Sequence, residues 1–153
     1  MLVGAGVETL VDVRRVPRSR WNPQYNRESI EESVSAAGLG YRHAQALGGL
    51  LSDEPGEERF SCIKPAAFRS YAARMGTPEW QDELASVLDE PSPCLMCAET
   101  PWQRCHRRLI SELLVARGHE VLHLRPGEVE PHRLSEDAEA RDGLLFLCGA
   151  LVA

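Results

Sequence analysis

Short apolar runs bounded by turn-forming residues recur along the chain and predict buried β-strands. Each run has four or five residues, long enough for a strand covered on both faces and too short for an amphipathic helix. The strands predicted from these runs are Thr9–Val13, Cys94–Cys97 and Glu120–Leu124, and Gly40–His43 could form another. A later apolar run, Leu144–Val152, fits either a strand or a short helix, and its pattern does not place it in a sheet.

Stretches with apolar residues at helical spacing separate these strands. Asn26 can cap a helix that runs to about Ala37, and Thr77 and Pro78 can begin another that continues through Leu88. The other two predicted helices are the stretch that holds Phe68, Tyr71, Ala72 and Met75, and the stretch from about Arg104 to Arg117. Strands that alternate with helices predict an α/β fold with a mostly parallel sheet flanked by helices, whose ligands bind beyond the carboxyl ends of the strands.

The length of the chain, 153 residues, predicts a single domain over residues 1–153. No apolar run approaches the roughly 20 residues that a membrane-spanning helix needs, so no membrane partner is expected. The first residues lack the basic region and the apolar stretch of a secretory signal, which favours a cytoplasmic protein. Five cysteines in irregular positions predict reduced thiols rather than a disulfide framework.

The chain is acidic overall and basic in one place. A net charge of −6 argues against a protein that coats nucleic acid through bulk electrostatics. Acids gather in residues 53–58 and 136–142, whereas residues 13–27 contain five arginines and no acid. Guanidinium groups suit two-point contacts with phosphate or carboxylate, although genomic base composition explains the preference for arginine equally well. The sequence therefore predicts a local anion site on an acidic protein.

A polar loop, residues 14–25, follows the first predicted strand. Asp12 at the end of that strand can orient Arg14 or act as a general base. The arginines predicted to hold the anionic groups of a substrate are Arg14, Arg18 and Arg20. Trp21 and Tyr25 can stack on a base, which would extend the ligands to nucleotides or single-stranded nucleic acid, or they can pack the loop onto the domain.

A second polar cluster lies where the strand Cys94–Cys97 leads into the next predicted helix. The backbone N–H groups and the dipole at the start of that helix favour an anion and lower the pKa of a thiol. We predict Cys105 as a nucleophile, His106 as a proton-transfer group, and Glu99 as a general acid or base. Arg107 is predicted to hold the anion.

Each of these residues also has a purely structural interpretation. Cys97 and Cys105 can be packed as small hydrophobic side chains, and His106 can simply hydrogen-bond the neighbouring loop. On a helix, Cys105 and His106 point about 100° apart, so they need not meet. Zinc is disfavoured because Cys94 and Cys97 point to opposite faces of a strand, and we predict neither a metal nor a cofactor.

With both loops in view, the sequence resembles the DUF488 family. The matching residues are Asp12-Val13-Arg14, Pro17-Arg18-Ser19-Arg20, Asn22-Pro23, Gly38, Tyr41, Leu47-Gly48-Gly49, the region of Tyr71 and Thr77-Pro78, and Cys97-Ala98-Glu99 through Cys105-His106-Arg107-Arg108. The resemblance covers roughly residues 6–124 and leaves an acidic C-terminal extension at about 125–153. The resemblance implies an α/β domain, and it does not imply any particular reaction.

The sequence departs from the family pattern in two places. Tyr25 and Arg27 stand where the family often has Phe and Lys, which leaves the character of the loop intact. Family members usually have an additional first strand with a Gly-His-Ser or Gly-His-Thr motif and then a helix, and Met1 falls near the end of that helix. The resemblance implies either an earlier start or a member that lacks the first strand, with an exposed sheet edge and no site histidine.

Three functions remain open at this stage. The loops after Val13 and Cys97 both leave carboxyl ends of predicted parallel strands, so they can converge. The first function is a hydrolase or transferase that binds a phosphorylated or nucleotide-like anionic substrate between them. The second is a non-catalytic nucleotide or nucleic-acid binding module, and the third is a redox or metal-responsive regulator. The pattern does not predict the oligomeric state.

Overall fold

The computed structural model describes residues 1–49 and 52–153. They form two compact units, each built from two segments of the chain. The first unit comprises residues 1–49 and 79–98, and the second comprises the described residues of 50–78 together with 99–153. No helix in the described part of the chain is long and apolar enough to cross a membrane.

The first unit is built on a parallel three-stranded sheet in the order β2-β1-β3. Its strands are β1 (Thr9–Asp12), β2 (Gly40–His43) and β3 (Pro93–Met96). Asp12 pairs in register with His43 on one side and with Met96 on the other. β1 is therefore the central strand, which explains why all four of its residues are buried.

Two helices accompany this sheet, α1 (Arg27–Ala36) and α3 (Pro78–Leu88). Ile30 and Val34 of α1 form a core cluster with Leu10 of β1. On β2, Arg42 donates to Glu83 of α3 at 2.8 Å and to Glu90, which follows α3, at 3.0 Å. The α/β class and a parallel sheet flanked by helices are thus confirmed.

The second unit combines two helices with antiparallel strands. The helices are α2 (Ala66–Met75) and α4 (Arg107–Ala116), and the strands are β4 (Leu122–Arg125), β5 (Glu128–Pro131), β6 (Ala138–Arg141), β7 (Leu144–Leu147) and β8 (Ala150–Leu151). β4 pairs with β5, and β6, β7 and β8 form a separate three-stranded sheet. Tyr71, Ala72 and Met75 of α2 are buried, as the helical spacing predicted.

The prediction of a mostly parallel sheet holds only for β1, β2 and β3. The strand predicted at residues 120–124 lies at Leu122–Arg125 and pairs antiparallel with β5, and the acidic C-terminal extension forms further antiparallel strands. Connections of two residues between the later strands impose this arrangement, because a parallel pair needs a long crossover. At the first of the connections within β6–β8, Asp142 and Gly143 have φ angles of 51° and 79°, as a type I′ turn requires. The additional first strand expected from the family stays a prediction.

A disulfide joins Cys62 to Cys148 within the second unit, across 86 residues of sequence. The expectation that all five cysteines are reduced is therefore wrong for these two. The pairing of distant cysteines cannot be deduced from their spacing in the sequence. Cys94, Cys97 and Cys105 lie outside the disulfide.

We expect a thiol reagent to count three thiols in the denatured, unreduced protein and five after reduction. Replacing Cys148→Ser should leave four reactive thiols. It should also lower the free energy of unfolding by about 2 to 5 kcal/mol, because the unfolded chain is no longer cross-linked. A count of five thiols before reduction would contradict the disulfide.

Candidate functional site

Asp12 lies at the carboxyl end of β1 and is completely buried. Arg14 contacts it through two points, Nε to Oδ1 at 2.8 Å and Nη2 to Oδ2 at 2.5 Å. The backbone N–H of Arg14 donates to Oδ1 at 3.1 Å, and the Tyr41 hydroxyl donates to Oδ2 at 2.9 Å. These four hydrogen bonds occupy the roughly four acceptor positions of a carboxylate.

This arrangement keeps Asp12 ionised. Burial acts to raise its pKa, but the hydrogen bonds from Arg14 and Tyr41 outweigh burial and hold the pKa below its ordinary value. Burial and the bond to Asp12 raise the pKa of Tyr41. A carboxylate with a lowered pKa and no vacant acceptor position is a weak base, so the geometry favours the role of orienting Arg14. Its role as a general base stays a prediction.

Arg14 connects the sheet to the loop that follows β1. Its Nη1 donates to the backbone oxygen of Tyr25 at 2.7 Å, and its own backbone oxygen lies 2.8 Å from Nε2 of His43. The side chain is itself buried. Of the other residues predicted to bind substrate here, Arg18, Arg20 and Tyr25 are exposed.

In the second unit, Cys105 and His106 lie in contact immediately before α4. The Cys105 sulfur lies 3.6 Å from Nδ1 of His106 and accepts the backbone N–H of Arg107 at 3.5 Å. The two residues meet because α4 begins at Arg107 rather than near Arg104, which leaves Cys105 with an extended backbone, φ −123° and ψ 152°. Residues 102–104 form a separate 3-10 turn. The predicted start of the helix is thus corrected.

Cys105 and His106 are both buried, with 2% and 8% of their surfaces exposed. The ring of Tyr71 packs on that of His106, with 4.9 Å between the ring centroids. The two side chains offer one sulfur and one nitrogen ligand, and zinc centres use three or four protein ligands. A metal would need further ligands from outside this pair.

Arg107 holds the loop that leads to Cys105. Its Nη2 donates to the backbone oxygens of Glu99 and Thr100. Its Nε is buried and has no hydrogen-bond partner in residues 1–49 and 52–153. The side chain of Glu99 is exposed. Arg107 is thus placed beside the thiol with one donor left unsatisfied.

A series of polar contacts in the second unit was not predicted from the sequence. Glu112 of α4 is fully buried and accepts the backbone N–H of Ser135 at 3.2 Å. Nε2 of His132 lies 3.4 Å from its Oε2, an ion-pair distance without hydrogen-bond alignment. Nδ1 of His132 is 2.9 Å from Nε2 of His123, whose ring stacks on Trp102 at 4.0 Å. Trp102 belongs to the turn that precedes Cys105.

Burial of these polar side chains affects the pKa values of Glu112 and His123. Burial acts to raise the pKa of Glu112, but the nearby His132 ring and the hydrogen bond from Ser135 outweigh burial and lower the pKa. Burial lowers the pKa of His123 to about 4, and repulsion from His132 acts in the same direction. The contact between His123 and His132 is tertiary. The signal for it in the sequence is that the two histidines lie on either side of the turn-forming pair Pro126-Gly127.

The α/β architecture is consistent with one comparison to known proteins. A family model described as a domain of unknown function, DUF488, matches residues 1–114, which are 114 of the 153 residues of the chain. The chain belongs to the DUF488 family. The match ends within α4, so β4 to β8 and both His123 and His132 lie beyond it. Comparisons with curated proteins and with solved structures found no match.

Replacing Asp12→Asn should lower the free energy of unfolding by about 3 to 5 kcal/mol, because it leaves Arg14 buried without its counter-ion. A lowered pKa in the folded state means that Asp12 stabilises the fold above its ordinary pKa of 3.8 and loses this effect as the pH falls below it. The free energy of unfolding of Asp12→Asn should therefore decrease less than that of the unchanged protein as the pH is lowered through this range. Chemical denaturation at several pH values measures both effects.

Glu31→Gln is the matched control, since it breaks the exposed ion pair with Arg27. It should change the free energy of unfolding by less than about 0.5 kcal/mol. Equal losses in the two variants would show that the Asp12–Arg14 pair is not specially stabilising.

The lowered pKa of His123 predicts a second pH effect. As the pH is lowered from 6.5 to about 4, His123 takes up a proton in the unfolded chain but resists it in the folded chain. The free energy of unfolding should therefore decrease as the pH is lowered through this window. His123→Gln should reduce the slope of stability against pH there. His119→Gln, at an exposed histidine, is the control and should keep the slope of the unchanged protein. An unchanged slope in His123→Gln would refute the assignment.

Proposed function

We propose that this DUF488 protein is an enzyme, a hydrolase or transferase, that acts on a phosphorylated or nucleotide-like anionic substrate with Cys105 as its nucleophile. The observation that carries the proposal is the contact of 3.6 Å between the Cys105 sulfur and Nδ1 of His106. A thiol beside an imidazole at the start of a helix has the surroundings of an activated nucleophile.

In the proposed reaction His106 accepts the proton of the Cys105 thiol. The backbone N–H of Arg107 and the positive end of the α4 dipole stabilise the thiolate. The thiolate attacks the electrophilic atom of the substrate, and the leaving group departs with its bonding electrons and takes the proton from His106. Water or an acceptor alcohol then displaces the sulfur, and His106 removes its proton.

Arg107 and Glu99 have supporting roles in this proposal. The buried Nε of Arg107 is a donor that an anionic oxygen of the substrate can satisfy. The carboxylate of Glu99 is exposed, unlike the buried Cys105, and can exchange protons with solvent. Because only 2% of Cys105 is exposed, the substrate can reach the sulfur only after a movement that opens its surroundings.

The arginine loop after β1 is proposed to bind the same substrate through Arg14, Arg18 and Arg20. Support for a shared role comes from the sheet of the first unit, in which β1 and β3 are parallel neighbours. Asp12 pairs with Met96, and the N–H of Val13 donates to the oxygen of Met96 at 2.9 Å. The segments that follow these two residues therefore leave the same edge of the sheet.

The nucleophile can be tested without knowing the substrate. At pH 7 a thiol with an ordinary pKa is only a few per cent ionised, so activation by His106 should speed alkylation of Cys105. We expect His106→Gln to slow alkylation of Cys105 by iodoacetamide about tenfold or more at pH 7. Mass spectrometry of the Cys105 peptide measures this rate, with the Cys94 peptide as the internal control.

The substrate can be sought with nucleotides and phosphorylated metabolites as thermal stabilisers. A stabilising compound should be turned over by the unchanged protein, and Cys105→Ser should abolish turnover while binding persists. Arg18→Ala should weaken binding, whereas Arg133→Ala, at an exposed arginine outside both loops, should not. Turnover that survives in Cys105→Ser, or equal alkylation rates with and without His106, would overturn the proposal.

A further inference from the structure

The loop formed by residues 15–25, here called the basic loop, carries three exposed arginines. These residues are Arg15, Arg18 and Arg20. None of them has an ion-pair partner in the part of the chain that the structure describes, and the basic loop itself contains no acid. In a protein with a net charge of −6, this is a positive surface that no ion pair within residues 1–49 and 52–153 neutralises.

The basic loop also exposes aromatic rings between these charges. Trp21 has 92% of its surface exposed and Tyr25 has 56%. Tryptophan carries a large apolar ring that folded proteins bury to a high degree on average. Packing of the loop onto the domain, the structural interpretation of Trp21, is therefore wrong. A ring in this position is available for stacking by an external partner.

The backbone of the basic loop is held in place by hydrogen bonds. The side chain of Arg14 binds the oxygen of Tyr25, and the N–H of Arg27 donates to the oxygen of Pro17 at 3.0 Å. The N–H of Ser19 donates to Oδ1 of Asn26 at 2.7 Å. Because these hydrogen bonds hold the backbone of the loop in place, the loop loses little further conformational entropy when its rings and cations bind a partner.

We propose that the basic loop binds single-stranded nucleic acid, with Trp21 and Tyr25 stacking on bases and Arg18 and Arg20 contacting phosphates. Alternating cations and exposed rings match an alternation of phosphates and unpaired bases. Base pairs in a duplex are already stacked and hide their faces, so a duplex cannot use Trp21. The proposal goes beyond the proposed enzymatic function because binding by the basic loop requires neither Cys105 nor His106.

Binding can be measured on the full chain by fluorescence anisotropy with labelled oligothymidylate and oligouridylate of about 12 nucleotides. We expect Trp21→Ala to weaken binding about tenfold or more, since stacking contributes roughly 1 to 3 kcal/mol per base. Val16→Ala removes another exposed apolar side chain of the same loop and should leave affinity unchanged. Cys105→Ser should also bind normally.

The dependence of affinity on salt tests the arginines separately. The slope of log affinity against log salt should flatten by about 0.7 for every phosphate of a single strand that the loop no longer neutralises. Arg18→Ala and Arg20→Ala should each flatten it, and Arg133→Ala should not. The proposal would be overturned if Trp21→Ala retained full affinity, or if a duplex of the same length bound equally well. Absence of binding at low salt would also overturn the proposal.

The two proposals fail in distinguishable ways. Absence of oligonucleotide binding with intact Cys105 alkylation kinetics would refute only the nucleic-acid inference. Normal oligonucleotide binding by a protein in which Cys105 is alkylated equally fast with and without His106 would refute only the proposed nucleophile.

Discussion

The buried ion pair between Asp12 and Arg14 is the interaction on which the first unit depends. Removing a carboxylate from water at the end of a central strand is strongly unfavourable unless a well-oriented cation and further donors surround it. Arg14 and the Tyr41 hydroxyl supply them. Because Tyr41 lies on β2 and Arg14 opens the following loop, one carboxylate fixes β1 to its neighbouring strand and to that loop.

The same pair determines how the basic loop is presented to solvent. Arg14 uses the guanidinium nitrogen that Asp12 leaves available to bind Tyr25, at the far end of the loop. The close approach of Gly48 to the backbone of Arg15 reinforces this anchoring, since a Cβ on Gly48 would lie 2.7 Å from the Cα of Arg15. Residues between Arg15 and Tyr25 can thus be exposed without being unstructured, which suits recognition better than it suits packing.

The first unit was predictable because its signals are local. Apolar runs mark β1 and β3, and the spacing of Asp12 and Arg14 shows that these two residues can pair. The second unit depends on contacts between residues distant in sequence, such as Cys62 with Cys148 and Glu112 with His132, and no local pattern specifies those. Its strands β5 and β6 lie in segments so acidic and short that their apolar alternation is weak. Whether the two predicted loops serve one substrate stays a prediction.

The C-terminal segment is better understood as part of the second unit than as an appended acidic tail. Glu112 and Arg108, whose Nε lies 3.6 Å from Oε1 of Glu112, both lie within the region that matches the family. His132 and Ser135, which also contact this carboxylate, lie beyond that region. Without them the buried carboxylate would lose the hydrogen bond from Ser135, which would destabilise α4. Because α4 begins at Arg107, directly after Cys105 and His106, the segment beyond the family match helps to stabilise the helix that follows the candidate nucleophile.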